Sequence, residues 1–216
     1  VGLFETIHAL RLSFREEVRE ALRAGMEHPH YLAAGKHSIV LHGRYGDEPC
    51  ILKIGPAAHL QKEGHFLRYL RNESFVPRMF HEGEGFVLRE KVDGWLISTL
   101  FAETCSSQFL QQVLDASLIA VQRLDELGIT KFEMHHPRKH IFVHTDATVT
   151  FIDFERCIFS MKPKNTTQFL QYLRSSQVSL AAQGLSLDVD RLNHIAKTYK
   201  SGHHRIRIRD LLLDGE

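Results

Sequence analysis

Cysteine is scarce in this 216-residue chain, and so is net charge. The three cysteines, Cys50, Cys105 and Cys157, stand far apart, odd in number and without a CxxC pair. That argues against a disulfide framework and a cysteine-based zinc site, and it fits a reducing cytosol. The formal net charge of +1 gives no global argument for nucleic acid or acidic substrates. No apolar run reaches the roughly 20 residues of a membrane span. The N-terminal GLFETIHALRLSFREEVREAL carries charges throughout, unlike a signal peptide. Repeats, low-complexity tracts and linker-like composition are missing too, so the chain reads as one cytoplasmic domain.

What is present is ordinary globular composition, 43% hydrophobic and 25% charged, which suffices for one large core or two small ones. Fifteen histidines make the true charge sensitive to mild acid. Asn72-Glu73-Ser74 and Asn165-Thr166-Thr167 match glycosylation acceptors, but in a cytosolic chain they are chance matches.

The hydrophobic period divides the chain. Residues 3–24 read as a helix, with Phe4, Ile7, Phe14, Val18 and Leu22 near helical spacing, ended by Gly25 and Pro29. SIVLHGRY (38–45) and PCILKIG (49–55) read as a hairpin turning at Gly46-Asp47-Glu48. Residues 57–71 turn helical, and 76–94 give one or two further strands around a glycine-rich turn. The longest helical pattern spans 106–128 and closes on Gly128. HIFVH (140–144) and VTFIDF (149–154) form a second hairpin turning at Asp146-Ala147, with helices near 165–176 and 188–200 after it. The C-terminal HHRIRIRD alternates Arg and Ile, as an amphipathic edge strand or as a basic patch that would touch nucleic acid. The compositional break falls near 93–97, between a β-rich half and a helical half.

Four stretches carry chemistry. Lys53 lies inside the apolar strand ILKIG, where an ammonium needs an anionic partner; Glu63 stands ten residues on, in the next helix. Upstream, Gly35-Lys36-His37-Ser38-Ile39-Val40 supplies a glycine and a small residue able to close over phosphates, with Val40 placed to rest on a purine. FVLREKVDG (86–94) ends in a connector, Glu90 to Val92, whose backbone groups suit adenine. FIDFERC (151–157) delivers Asp153 at a strand end, a hard oxygen ligand suited to Mg²⁺ bound to phosphates. His140 lies thirteen residues earlier, just before the partner strand. Zinc at His135, His136 and His140 is disfavoured, since sequence neighbours seldom point at one metal and no fourth ligand is evident.

Taken in order, GKHSIV, ILK, Glu63, REKVDG, HHPRKHIFV and FIDFERC resemble the small, atypical members of the protein-kinase superfamily. The nearest likeness is to archaeal predicted serine/threonine kinases, with the RIO kinases and the kinase subunit of the KEOPS complex as more distant kin. The resemblance covers about residues 30–160, and PKNTTQFLQYLR continues it. It implies an α+β, two-lobed protein-kinase-like fold: an N-terminal helix (1–29), a β-rich N-lobe (30–93) and a reduced helical C-lobe (94–216). By that resemblance Lys53 contacts the α- and β-phosphates of ATP and Glu63 pairs with it. Asp153 matches the metal-binding aspartate of the DFG motif, and His140 falls where the catalytic-loop asparagine holds metal.

The chain departs from that family in four places. DFG is here Asp153-Phe154-Glu155, without the glycine. His140 offers an imidazole, a poorer partner for Mg²⁺ and a better one for Mn²⁺. The His-Arg-Asp motif is missing: five residues before His140 stands His135, and the nearest carboxylate is Glu133. Either takes the proton of the substrate hydroxyl, Glu133 being preferred. Arg138 and Lys139 either neutralise the transferred phosphate or are simply solvated. Lys162-Pro163 follows Asp153 within ten residues, too soon for a long peptide-binding segment. The expected activity is transfer of phosphate to serine or threonine hydroxyls, the chain's own included. A small-molecule kinase and a nucleotide-binding pseudokinase scaffold are the alternatives.

Overall fold

The alternation of IVLHGRY and EPCILKI builds an antiparallel sheet around which the first half of the chain is organised. The computed structural model describes residues 14–35, 37–103, 105–199, 202 and 205–213. Within them the chain divides into two compact units. One comprises residues up to Val92 together with Asp153–Arg156; the other comprises Asp93–Ile152 and the chain from Cys157 onward.

The first unit holds helix α1 (Arg15–Arg23), strands β1 (Met26–Ala34), β2 (Ile39–Tyr45) and β3 (Glu48–Ile54), helix α2 (Ala57–Tyr69), and strands β4 (Met79–Gly83) and β5 (Phe86–Glu90). The five strands run antiparallel in the order β1-β2-β3-β5-β4. A two-residue turn joins β2 to β3, with Gly46 at φ +58°, the left-handed conformation glycine adopts at little cost. Register does the rest. Ile39, Leu41, Cys50, Leu52, Ile54, Phe86 and Leu88 share one face and form a core with Val18, Ala21 and Met26. Because side chains alternate, Val40, Lys53 and Val87, which stand opposite one another in the ladder, point to the other face.

The helix expected over 3–24 is present as α1 from Arg15 to Arg23, and Phe4 and Ile7 lie outside the described residues. One expectation needs correction. Residues 26–34 form strand β1, which the sequence pattern did not suggest. β1 is an edge strand whose register with β2 slips twice and whose His28 has φ +49°. Such bulges destroy the two-residue period, and Pro29 is tolerated because an edge strand leaves N–H positions unpaired.

The second unit centres on α4 (Ser107–Glu126), with β6 (Trp95–Leu96) and the short α3 (Ile97–Leu100) before it. After it come β7 (Ile129–Thr130), single 3₁₀ turns at Phe132–His135 and Pro137–Lys139, β8 (Ile141–Val143), β9 (Val149–Phe151) and β10 (Ile158–Phe159). Helices α5 (Asn165–Ser175), α6 (Gln177–Ala181) and α7 (Val189–Tyr199) close the unit. Ser106 caps α4 by accepting the Phe109 N–H at 3.2 Å, and Gly128 leaves the helix at φ +68°. β6, β8 and β9 make a three-stranded sheet, and β7 pairs with β10. Helix α5 is capped from a distance: the buried Asp125 carboxylate of α4 accepts the Asn165 and Thr166 N–H groups at 2.9 and 3.0 Å.

The Arg/Ile alternation near the C-terminus is not an edge strand. Ile206 and Ile208 are buried, but their backbone bonds go to helix side chains. Gln122 of α4 grips Ile206 through both its N–H and its C=O, at 2.7 and 3.0 Å, and Asp115 accepts the Ile208 N–H at 2.7 Å. His203 and His204 lie outside the described residues. No helix among the described residues is long and apolar enough to cross a membrane.

Candidate active site

Lys53 stands near the end of β3 on the face opposite the α1 core, and only 8% of it is exposed. Its ammonium meets three carboxylates: Glu63 at 2.7 Å, Asp153 at 2.8 Å and Glu155 at 2.9 Å. An ammonium has three N–H bonds, so all three are used. Burial alone would push Lys53 below its ordinary range; the Glu63 and Asp153 charges outweigh it and hold the ammonium above that range.

Glu63 is placed by tight helix packing. Leu60, Glu63, Gly64, Phe66 and Leu67 form the buried stripe of α2, at helical spacing. A Cβ at Gly64 would collide with the Glu82 carboxylate of β4, which also pairs with Arg68. The helix lies close against β4 at this point, with Glu63 turned to Lys53.

Asp153 takes φ +67° just beyond β9, a left-handed conformation that short polar residues tolerate best. Phe154 behind it is fully buried, and Glu155 begins the turn that follows. Sequence reasoning took Glu155 only as the residue that removes the glycine; it is a third partner of Lys53. An acid two residues from a site aspartate, near a buried lysine, was the available signal.

Arg89 was also missed, having been read as part of a charged connector. It lies two residues from Val87 and so shares the face of Lys53. It is buried, donates to the Glu90 carbonyl at 3.0 Å, and keeps an Nε–H without a hydrogen-bond partner. Burial lowers it from the ordinary guanidinium range, opposed by the charges of Glu63, Asp153 and Glu90.

The other expected residues of the first unit lie in the same sheet or in the turns and connector at its strand ends. Gly35 and Ser38 close the turn between β1 and β2, with the Gly35 N–H donating to the Ser38 carbonyl at 2.8 Å; Lys36 between them lies outside the described residues. Val40 is the ladder partner of Lys53. In the connector, the Glu90 N–H is taken by Arg78 at 2.9 Å and the Lys91 N–H by Pro49 at 3.0 Å. Val92 is the connector residue that makes no backbone hydrogen bond among the described residues.

The second unit carries the rest. Glu133 lies in the first 3₁₀ turn and pairs at 3.2 Å with Lys131, a lysine with no exposed surface that sequence reasoning passed over. His135 is exposed, and its Nδ1 lies 2.9 Å from the Phe132 carbonyl; if Nδ1 carries the proton, Nε2 is left as an acceptor. His140 is half-buried; its carbonyl accepts the N–H of Ile152, the residue before Asp153, at 2.9 Å. Arg138 and Lys139 are exposed.

No protein-family model matches the chain, and no curated protein sequence does. Solved structures match it over most of its length. A crystal structure of the Rio2 kinase from Chaetomium thermophilum aligns with 89% of this chain and 69% of its own, with a TM-score of 0.62 at 16% identity. The Rio2 kinase-ADP/Mg²⁺-phosphoaspartate complex from the same organism aligns with 91% of this chain and 68% of its own, with a TM-score of 0.65 at 15% identity. An antiparallel-sheet unit followed in the chain by a mainly helical unit, alike over that span, gives this chain a kinase-like fold similar to that of the Rio2 kinase structures.

Proposed function

We propose that this chain is an ATP-dependent phosphotransferase that works with Mg²⁺ or Mn²⁺ and phosphorylates serine or threonine hydroxyls, its own among them. The observation that carries the reading is the buried Lys53 ammonium held at 2.7 Å from Glu63 and 2.8 Å from Asp153. A strand lysine aligned by a helix glutamate, beside a strand-end aspartate, is the arrangement that holds nucleotide phosphates in protein kinases.

In this reading Lys53 holds the α- and β-phosphates, and Glu63 fixes its direction. The turn at Gly35 and Ser38 covers the phosphates, Val40 rests on the purine, and the Glu90–Val92 connector, chiefly Val92, meets the adenine edge. Asp153 would offer carboxylate oxygen to a hard cation, and by the resemblance His140 would offer an imidazole, which would tilt the preference toward Mn²⁺. The cation would neutralise charge on the phosphates. Glu133, positioned by Lys131, takes the proton from the acceptor hydroxyl, with His135 as the alternative base. The hydroxyl oxygen bonds to the γ-phosphorus as the bond to the bridging oxygen breaks, and ADP leaves.

A second reading has support of its own. Lys53 is already saturated by carboxylates, and Glu155 replaces the glycine after Asp153-Phe154. Both suit a scaffold that binds nucleotide without transferring phosphate. Transfer of labelled γ-phosphate from ATP separates the two, with Mg²⁺ and with Mn²⁺, offering the protein itself, a generic basic protein and small hydroxyl compounds as acceptors. Label that Lys53→Ala and Asp153→Asn abolish, in variants shown by melting to be folded, establishes the kinase. Glu133→Ala against His135→Ala then assigns the base. Nucleotide binding without label establishes the scaffold.

A further inference from the structure

The saturation of Lys53 has a chemical consequence. A phosphate oxygen cannot reach its ammonium without displacing one of three carboxylates. Glu63 is 1% exposed on a helix pressed against β4, so it is not the one to leave. Asp153, its side chain 32% exposed, is the shorter of the two and has less reach. Glu155 is different. It stands in a turn, is longer by one methylene, and its second oxygen already lies 3.9 Å from Nδ1 of His59. It has somewhere to go.

We infer that Glu155 is a built-in competitor for the phosphate site: its carboxylate occupies Lys53 in the empty protein and swings toward His59 when nucleotide binds. The inference rests on the reading of Lys53 as the phosphate-binding lysine. Charge bookkeeping agrees with it. Glu63, Asp153 and Glu155 bring three negative charges, Lys53 and Arg89 two positive ones, so the cluster carries an excess negative charge. Bare nucleotide meets that excess, whereas nucleotide carrying a divalent cation arrives with most of its own charge cancelled. Glu155 thus makes binding dependent on the cation.

The test is the Kd of ADP, measured by titration calorimetry in EDTA and again with Mg²⁺, for the unaltered protein, Glu155→Gln, Glu155→Gly and Lys53→Ala. Melting temperatures establish that each variant is folded. Releasing one partly exposed charge-assisted contact should tighten metal-free binding by about tenfold, equivalent to ~1.4 kcal/mol. The gain with Mg²⁺ should be smaller. Binding of metal-free ADP by the Glu155 variants when the unaltered protein binds none would support the inference equally. If the unaltered protein binds ADP, Lys53→Ala weakens it, and both Glu155 variants bind no more tightly, Glu155 is not a competitor and the nucleotide reading stands. If none of the four binds ADP in either condition, the nucleotide reading fails and the competitor falls with it.

Discussion

Replacing Asp125 by alanine should loosen the second unit more than most surface-distant changes. The Asp125 carboxylate is 4% exposed and accepts four bonds: the Asn165 N–H at 2.9 Å, the Asn165 amide at 2.7 Å, the Thr166 N–H at 3.0 Å and the Tyr199 hydroxyl at 3.2 Å. Two of these donors are the first free N–H groups of α5, which the helix cannot satisfy itself. Alanine strands all four in a buried setting. At about 1 kcal/mol for each bond lost, the sum is ~4 kcal/mol, within the ~3–5 kcal/mol expected for breaking a buried charged network. For a chain of this size that lowers Tm by roughly 10 °C. Asp125→Asn keeps an acceptor oxygen but turns an N–H₂ against donors, so about half the loss should remain. Urea unfolding followed by circular dichroism gives both values. A loss below ~1 kcal/mol for Asp125→Ala would show that the donors find water or other partners, and the capping argument would be wrong.

Other outcomes follow from burial and charge. Lys53→Met leaves Glu63 buried beside two further carboxylates and should cost ~3 kcal/mol, of which Lys53→Met/Glu63→Gln recovers a measurable part; equal stabilities for the single and double variants would sink this reading of the pair. Of the three thiols, Cys50 and Cys157 are buried and Cys105 is half-exposed, so a thiol reagent should modify Cys105 alone in the native protein and all three after unfolding. Burial pushes the Cys50 thiol from 9.0 up to about 11, so the folded form holds a proton that the unfolded form has lost. Stability should therefore fall as pH rises from about 9 to 11, less steeply in Cys50→Ala; a pH-independent melting curve in that window would contradict it.

How much of this was readable in the sequence depended on the range of the interaction. Lys53 stood out because an ammonium inside an apolar strand breaks its pattern, and Glu63 because the next helix offered a carboxylate at reachable spacing. The β2–β3 turn and the C-terminal end of α4 carried local chemistry, at Gly46 and Gly128, and were legible for that reason. Strand β1 was not, since its bulges and edge position erase the alternation that announces a strand. Arg89 was hidden by its charged neighbours, although parity with Lys53 along the ladder was the clue. Asp125 looked like one more polar residue of a long helix; its role depends on a helix that begins forty residues later. Glu155 sits in a turn and Lys131 between a two-residue strand and a 3₁₀ turn, where no period exists to say which way a side chain points.

The order in which the chain is made gives the Lys53 cluster a history. Asp153 and Glu155 are 100 and 102 residues downstream of Lys53, and four residues of the later chain return to complete the first unit. At ~5–20 residues per second of synthesis, Lys53 and Glu63 wait about 5–20 s on the ribosome before those partners exist. During that interval the sheet and α2 can assemble with a single ion pair at their centre. A fragment ending at Val92 would be arrested at the same stage, holding a lysine with one of its three carboxylates.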